Sequence, residues 1–174
     1  MRFLKGFTLI CLIVLPLSAS AKIKMQSFNS PEGKFSIMGP PQFQKNSQSI
    51  PTKVGNIELV TYTSSDSKSG TAFIVGYSDY PAELVKLSNP QKLLESAKNG
   101  QVSKTKGKLV SEKQISIQGY PGIEVQIASE MGVTLYGRLY MIENRLYQIL
   151  SAVPSSQKLD NEIAQYLESF QLTK

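Results

Sequence analysis

Hydrophobic residues recur at every second position along most of this chain, and at every third or fourth in only two stretches. After a Ser30-Pro31-Glu32-Gly33 turn signal, residues 34–38 alternate with Phe35 and Ile37 facing inward, and Gly39-Pro40-Pro41 closes the run. Residues 43–50 are polar and read as an edge strand. Pro51 suits an edge, where no ladder donor is needed. Strands follow at 54–63 and 71–80, joined by a small, polar loop over 64–70. In the second of these, Phe73, Val75 and Tyr77 oppose Ala72, Ile74 and Gly76. Apolar groups on both sides predict a strand covered on both faces. Asn89-Pro90 places an N-cap before a proline at the first helical position, and Leu93, Leu94 and Ala97 supply an apolar stripe. Gly100 costs about 1 kcal/mol relative to Ala and is expected to end this helix early.

The two-residue period returns over 108–118, with Ile115 and Ile117 inward, and Gly119-Tyr120-Pro121-Gly122 reads as a turn. Ile123, Val125 and Ile127 alternate with Glu124 and Gln126. Strands over 133–142 and 145–153 complete a hairpin, and a helix opening at Pro154-Ser155-Ser156 presents Leu159, Ile163, Leu167 and Phe170. Residues 22–29 read as a short leader. The sum is an α+β chain: an α/β/α sandwich with a central antiparallel sheet of about seven or eight strands and helices on both faces. No internal repeat or linker divides residues 22–174, which are expected to form one domain.

The first 21 residues change the picture of where the protein works. Arg2 and Lys5 precede an apolar run over 7–17, and Ala19-Ser20-Ala21 offers small residues for cleavage after Ala21. This is the layout of a secretory signal, and the run is too short for a bilayer span, which needs about 20 residues. Cys11 follows the bulky Ile10 in mid-run, which argues against lipidation. The expected product is periplasmic or secreted, with no transmembrane span. Of the 19 basic residues, Arg2 and Lys5 lie in this segment, leaving 17 against 13 acidic, a net charge of +4. Lys98, Lys104, Lys106, Lys108 and Lys113 bunch together without interleaved aromatics. They read as a solvated face, with an anionic surface or acidic envelope protein as the sharper reading, and without support for nucleic acid.

The chain has no His, and its one Cys is Cys11. Beyond the signal, Ser-His-Asp and Cys-His catalysis and zinc sites built from His or Cys are therefore excluded. No glycine pattern matches a nucleotide loop, and no metal or other cofactor is expected. Asp66 with Asp79, or Glu124 with Glu130, could serve acid–base chemistry but lack the spacing of a calcium loop. Ser103-Lys104 and Ser111 with Lys113 are conceivable nucleophile pairs, the basis of an alternative reading as a small periplasmic hydrolase-type enzyme.

The strongest constellation is the last hairpin. With Glu143-Asn144 as its two-residue turn, Ile142 pairs with Arg145, Tyr140 with Tyr147, and Arg138 with Ile149. Arg138, Tyr140, Arg145 and Tyr147 then share one face, while Leu139, Met141, Leu146 and Leu150 face the core. These are the only arginines after residue 21. The face reads either as an anion- or partner-binding patch or as a structural pairing of tyrosines with arginines at its edge. At the hairpin mouth, Arg145 is expected to be removable without loss of stability.

Four segments carry a family resemblance: SPEGKFSI at 30–37, GYPGIE at 119–124, RLYMIENRLYQ at 138–148 and ESFQL at 168–172. Together they resemble bacterial relatives of PsbP, the extrinsic subunit of the photosynthetic oxygen-evolving complex. The resemblance implies an antiparallel sheet between helices and a non-enzymatic role in binding or assembling a larger complex. Metal retention through His and carboxylates does not carry over to a chain without His, and nothing here implies photosynthesis. The expected function is thus an exported, non-catalytic binding or assembly module of the bacterial cell envelope.

Overall fold

The computed structural model describes residues 22–52 and 55–174. The expected signal segment, including Cys11 and the Ala19-Ser20-Ala21 site, lies outside the described residues, as does Val54. Two antiparallel meanders build the main sheet. The first comprises β3 (Gln44–Thr52), β4 (Gly55–Asp66) and β5 (Thr71–Asp79). The second comprises β6 (Gly107–Ile117), β7 (Tyr120–Ser129), β8 (Val133–Ile142) and β9 (Arg145–Pro154). β9 closes against β5, giving the order β3-β4-β5-β9-β8-β7-β6. Between the meanders run α1 (Ala82–Leu87) and α2 (Pro90–Lys104). A smaller sheet, of order β1-β2-β10, joins β1 (Gln26–Ser30), β2 (Phe35–Gly39) and β10 (Gln171–Leu172), the last following α3 (Asp160–Glu168).

The main sheet is therefore a layer between two cores, and this is why β5 is apolar on both sides. On one side Leu94 of α2 packs with Ile123, Val125, Ile127, Leu139, Met141, Leu146 and Leu150. On the other, α3 and the small sheet bring Phe35, Ile37, Ile163, Tyr166 and Phe170 onto Phe73, Val75, Tyr77, Tyr147 and Ile149. Fully burying one such aliphatic side chain contributes about 1.5–3 kcal/mol, so each layer adds several such contributions to the stability of the sheet. The α+β sandwich with helices on both faces is as the periodicity predicts, and the hairpin registers Arg138↔Ile149, Tyr140↔Tyr147 and Ile142↔Arg145 are those expected.

Several local expectations are corrected. Residues 22–29 are not a bare leader: Ile23 is buried and β1 begins at Gln26. The turn expected at 119–122 is Gln118-Gly119, with φ of 48° and 85°, as a two-residue type I′ hairpin requires, and Tyr120 already belongs to β7. α2 runs through Gly100 to Lys104, capped at its start by the Asn89 side chain, which accepts from the Gln91 N–H at 2.8 Å. About 1 kcal/mol of lost propensity is a small deficit beside the packing of a 15-residue helix. The last helix starts at Asp160 rather than at 154–156, and α1 and β10 are additions.

Candidate functional site

Register places Tyr77, Tyr147 and Tyr140 side by side across β5, β9 and β8, with Gly122 of β7 next in the row. The Tyr140 ring occupies the space above Gly122. A Cβ there would fall 2.4 Å from the ring and 2.7 Å from the Leu139 carbonyl oxygen. The small sheet then covers the row. Phe170 stacks on Tyr140 at 6.0 Å and 9°, Phe35 meets Tyr147 edge-on at 6.3 Å, and the Tyr147 hydroxyl donates to the Gly33 carbonyl at 2.8 Å. Tyr140 and Tyr147 are thus interior residues, 5% and 3% exposed. Burial raises the pKa of both hydroxyls above the ordinary phenol value.

The four expected residues do share one face, but the middle of that face is covered. What reaches the surface are the two guanidinium groups, in separate clefts. At the β8–β9 turn, a polar cleft of about 460 Å³ is bordered by Arg145 together with Lys34, Tyr120, Glu143 and Asn144. Asp79 is the cross-strand neighbour of Arg145, and its carboxylate accepts from Arg145 Nε and one terminal nitrogen, both at 2.6 Å. The other terminal nitrogen donates to the Glu32 carbonyl at 3.2 Å, and the guanidinium lies 4.3 Å from the centre of the Tyr77 ring. The hydrogen bonds to Asp79 raise the Arg145 pKa further above its already high value. Arg145 is therefore pinned by three partners while bordering an open cleft.

Arg138 lies further along the hairpin, in a groove of about 480 Å³ between α3 and strands β6–β8. It is the cross-strand neighbour of Glu124, to which its Nε donates at 2.6 Å, and a terminal nitrogen donates to the Leu167 carbonyl at 3.3 Å. Arg138 thereby ties the sheet to α3.

The remaining candidates are dispersed. Asp79 and Glu124 are committed to the two arginines. Asp66 accepts from the backbone and hydroxyl of Ser69, both at 2.8 Å, which organises the β4–β5 turn. Glu130 is exposed in the β7–β8 connection. Ser103 and Lys104 are successive helical residues and do not face each other. Ser111 and Lys113 border the Arg138 groove on an edge strand, both exposed. Among the described residues no group of three or more His, Cys, Asp or Glu is placed to hold a metal ion.

The lysine cluster is not one solvated face. Lys104, Lys106, Lys108 and Lys113 are exposed, but Lys98 is only 7% exposed and bridges Glu95 and Glu112, at 2.5 and 2.7 Å. Those two hydrogen bonds, Glu112 first, raise its pKa. Leu94 and Lys98 are one helical turn apart on the packed side of α2, and Glu112 of β6 closes the network.

No family model and no curated protein matches the chain by sequence. Among solved structures, the fold is similar to the solution structure of cyanobacterial PsbP from Synechocystis sp. PCC 6803. The match has a TM-score of 0.59 at 8% identity, and covers 91% of this chain and 98% of that one. The fold is PsbP-like. No helix among the described residues is long and apolar enough to cross a membrane.

Proposed function

With a PsbP-like fold as the premise, we propose that this protein is a non-catalytic binding or assembly module, exported to the bacterial cell envelope after cleavage behind Ala21. Its partner surface is the arginine end of the last hairpin. The observation that carries this reading is the immobilisation of Arg145. Asp79, the Glu32 carbonyl and the Tyr77 ring fix the guanidinium at the edge of an open cleft. Three of its five N–H groups are spent on these contacts, which leaves donors for a partner's carboxylate or carbonyl. A long side chain already fixed in place loses little further entropy on binding, and Arg with neighbouring Tyr is the usual composition of an interface anchor. Arg138 adds a second fixed guanidinium beyond the buried Tyr140 and Tyr147.

The test is in-cell crosslinking and capture of the full-length protein in its native envelope. The product is expected to begin at Lys22 by N-terminal sequencing. Lys34 is exposed in the Arg145 cleft, so Lys34→Glu is expected to lower capture of the specific partner, whereas Lys108→Glu, on exposed β6, is expected to leave it unchanged. Equal capture by both variants would remove the cleft as the binding site, and a product retaining Met1 would remove cleavage.

A further inference from the structure

The opposite face of the main sheet carries a second feature. α2 packs over β6, β7 and β8, and leaves open a groove along its side above β4, β5 and β9. The groove has two lobes. One, of about 280 Å³, lies over Ile74, Leu135 and Leu150. The other, of about 250 Å³, runs between Ile50, Ile57, Leu146 and Gly100. Leu59, Gln101, Lys104 and Gln148 border both, and the Gln101 amide donates to Gln148 Oε1 at 2.6 Å.

Three observations specify what the groove accepts. First, Lys104 is the one charged residue in either lining, and no acidic residue borders either lobe. An exposed lysine with no acid beside it, set in an aliphatic wall, matches an anionic head on an apolar body. Second, Ile50 extends the apolar lining of the smaller lobe to its rim. Third, Gly100 forms part of that lobe's wall, and a Cβ built there meets nothing within 4 Å. Gly100 is itself exposed, so a larger side chain there would extend into the open space beside the lobe. The lobe's volume falls just under the range of about 300–1,000 Å³ for sites that take drug-sized molecules, which suits one short chain.

We propose that this groove binds a single-chain alkyl carboxylate of medium length. The carboxylate sits at Lys104, within reach of the Gln101 and Gln148 amides, and the chain lies in the lobe between Ile50, Leu146 and Gly100. The site is on the sheet face opposite the arginines and stands independently of the function proposed for them.

Titration calorimetry of the purified protein with octanoate, decanoate and dodecanoate, each below its micelle concentration, tests this. One saturable site is expected, with affinity rising by up to about fourfold per added methylene until the lobe is filled. Dodecyltrimethylammonium, of equal chain but opposite charge, is expected to bind at least about tenfold more weakly. Gly100→Leu adds a side chain at the lobe's wall and favours the helix, so binding is expected to fall at least about tenfold with thermal stability unchanged or higher. Lys104→Glu, at an exposed position, reverses the head-group charge and is expected to cause a similar loss. Absence of saturable binding, equal binding of carboxylate and ammonium, or indifference to both substitutions would overturn the proposal. So would a groove occupied instead by a second copy of the chain, or by adsorption to zwitterionic vesicles, with no binding of the free carboxylate.

Discussion

Replacing Arg145 with Ala separates the structure from the simplest reading of the hairpin, in which a residue at the turn is dispensable. The substitution removes three sets of contacts. The pair with Asp79 is bidentate, but the Asp79 side chain is 50% exposed and that of Arg145 19%, so water screens it. Such a pair contributes about 0.2–1 kcal/mol, towards the upper end for this geometry. The guanidinium 4.3 Å from the Tyr77 ring adds about 0.5–1 kcal/mol, and the bond to the Glu32 carbonyl about 1 kcal/mol. Release of the side chain returns up to about 2 kcal/mol of rotamer entropy, which offsets part of this. The net expectation is a loss of about 1–2 kcal/mol. For a chain of this size, each kcal/mol lowers Tm by about 2–4 °C. Urea unfolding followed by circular dichroism and tyrosine fluorescence measures it, since the chain has no Trp. In an Asp79→Ala background the Arg145→Ala loss is expected to shrink by about half to one kcal/mol. A single variant within about 0.5 kcal/mol of the parent, with no coupling in the cycle, would refute the pinning of Arg145 and with it the preorganised cleft.

Two further outcomes follow from the cores. Leu150 is 6% exposed and lies over Gly137, so Leu150→Ala is expected to cost about 2–5 kcal/mol, and an unchanged urea midpoint would contradict its burial. Burial is the leading cause of raised pKa values at Tyr77, Tyr140, Tyr147 and Tyr166. These hydroxyls stay protonated in the folded chain after the unfolded chain has begun to ionise near pH 10. Their contribution is therefore complete below pH 10 and is lost as pH rises through the folded values. Paired absorbance and urea titrations are expected to show the midpoint falling above about pH 10, with part of the tyrosine signal appearing only on unfolding. Ionisation of all eight tyrosines near pH 10 in a folded chain would contradict this.

The sequence carried the main sheet and the hairpin because their signals are local. Alternation over 133–153 and a two-residue turn fix which side chains share a face, and one register satisfies both. What it did not carry is the layer above that face. Phe35 and Phe170 come from segments far from Tyr140 and Tyr147, so Arg-Tyr alternation reads equally as an exposed patch or as a row under a lid. Asp79 was a visible candidate, but its pairing with Arg145 depends on β5 meeting β9, a non-local contact. Lys98 read as part of a solvated run because Glu112, on another element, is the partner that draws it inward. α1 and β10 are too short to show a period. Gly100 read as a breaker because propensity records its backbone freedom and not the space beside it.

The middle strand of the small sheet has neighbours drawn from both sides of the main sheet's sequence. β2 pairs with β1 just before it and with β10, and the Met38 N–H donates to the Ser169 hydroxyl, 131 residues downstream. A chain emerging residue by residue, from a ribosome or through a membrane channel, presents Phe35 and Ile37 long before α3 and β10 exist to cover them. Both meanders can pair as they appear, because their contacts are between successive strands. The lid cannot close until residues 171–172 arrive, because they supply the second neighbour of β2. Completion of the lid thus waits for emergence of the last strand, and until then Phe35 and Ile37 lack the cover that α3 and β10 supply.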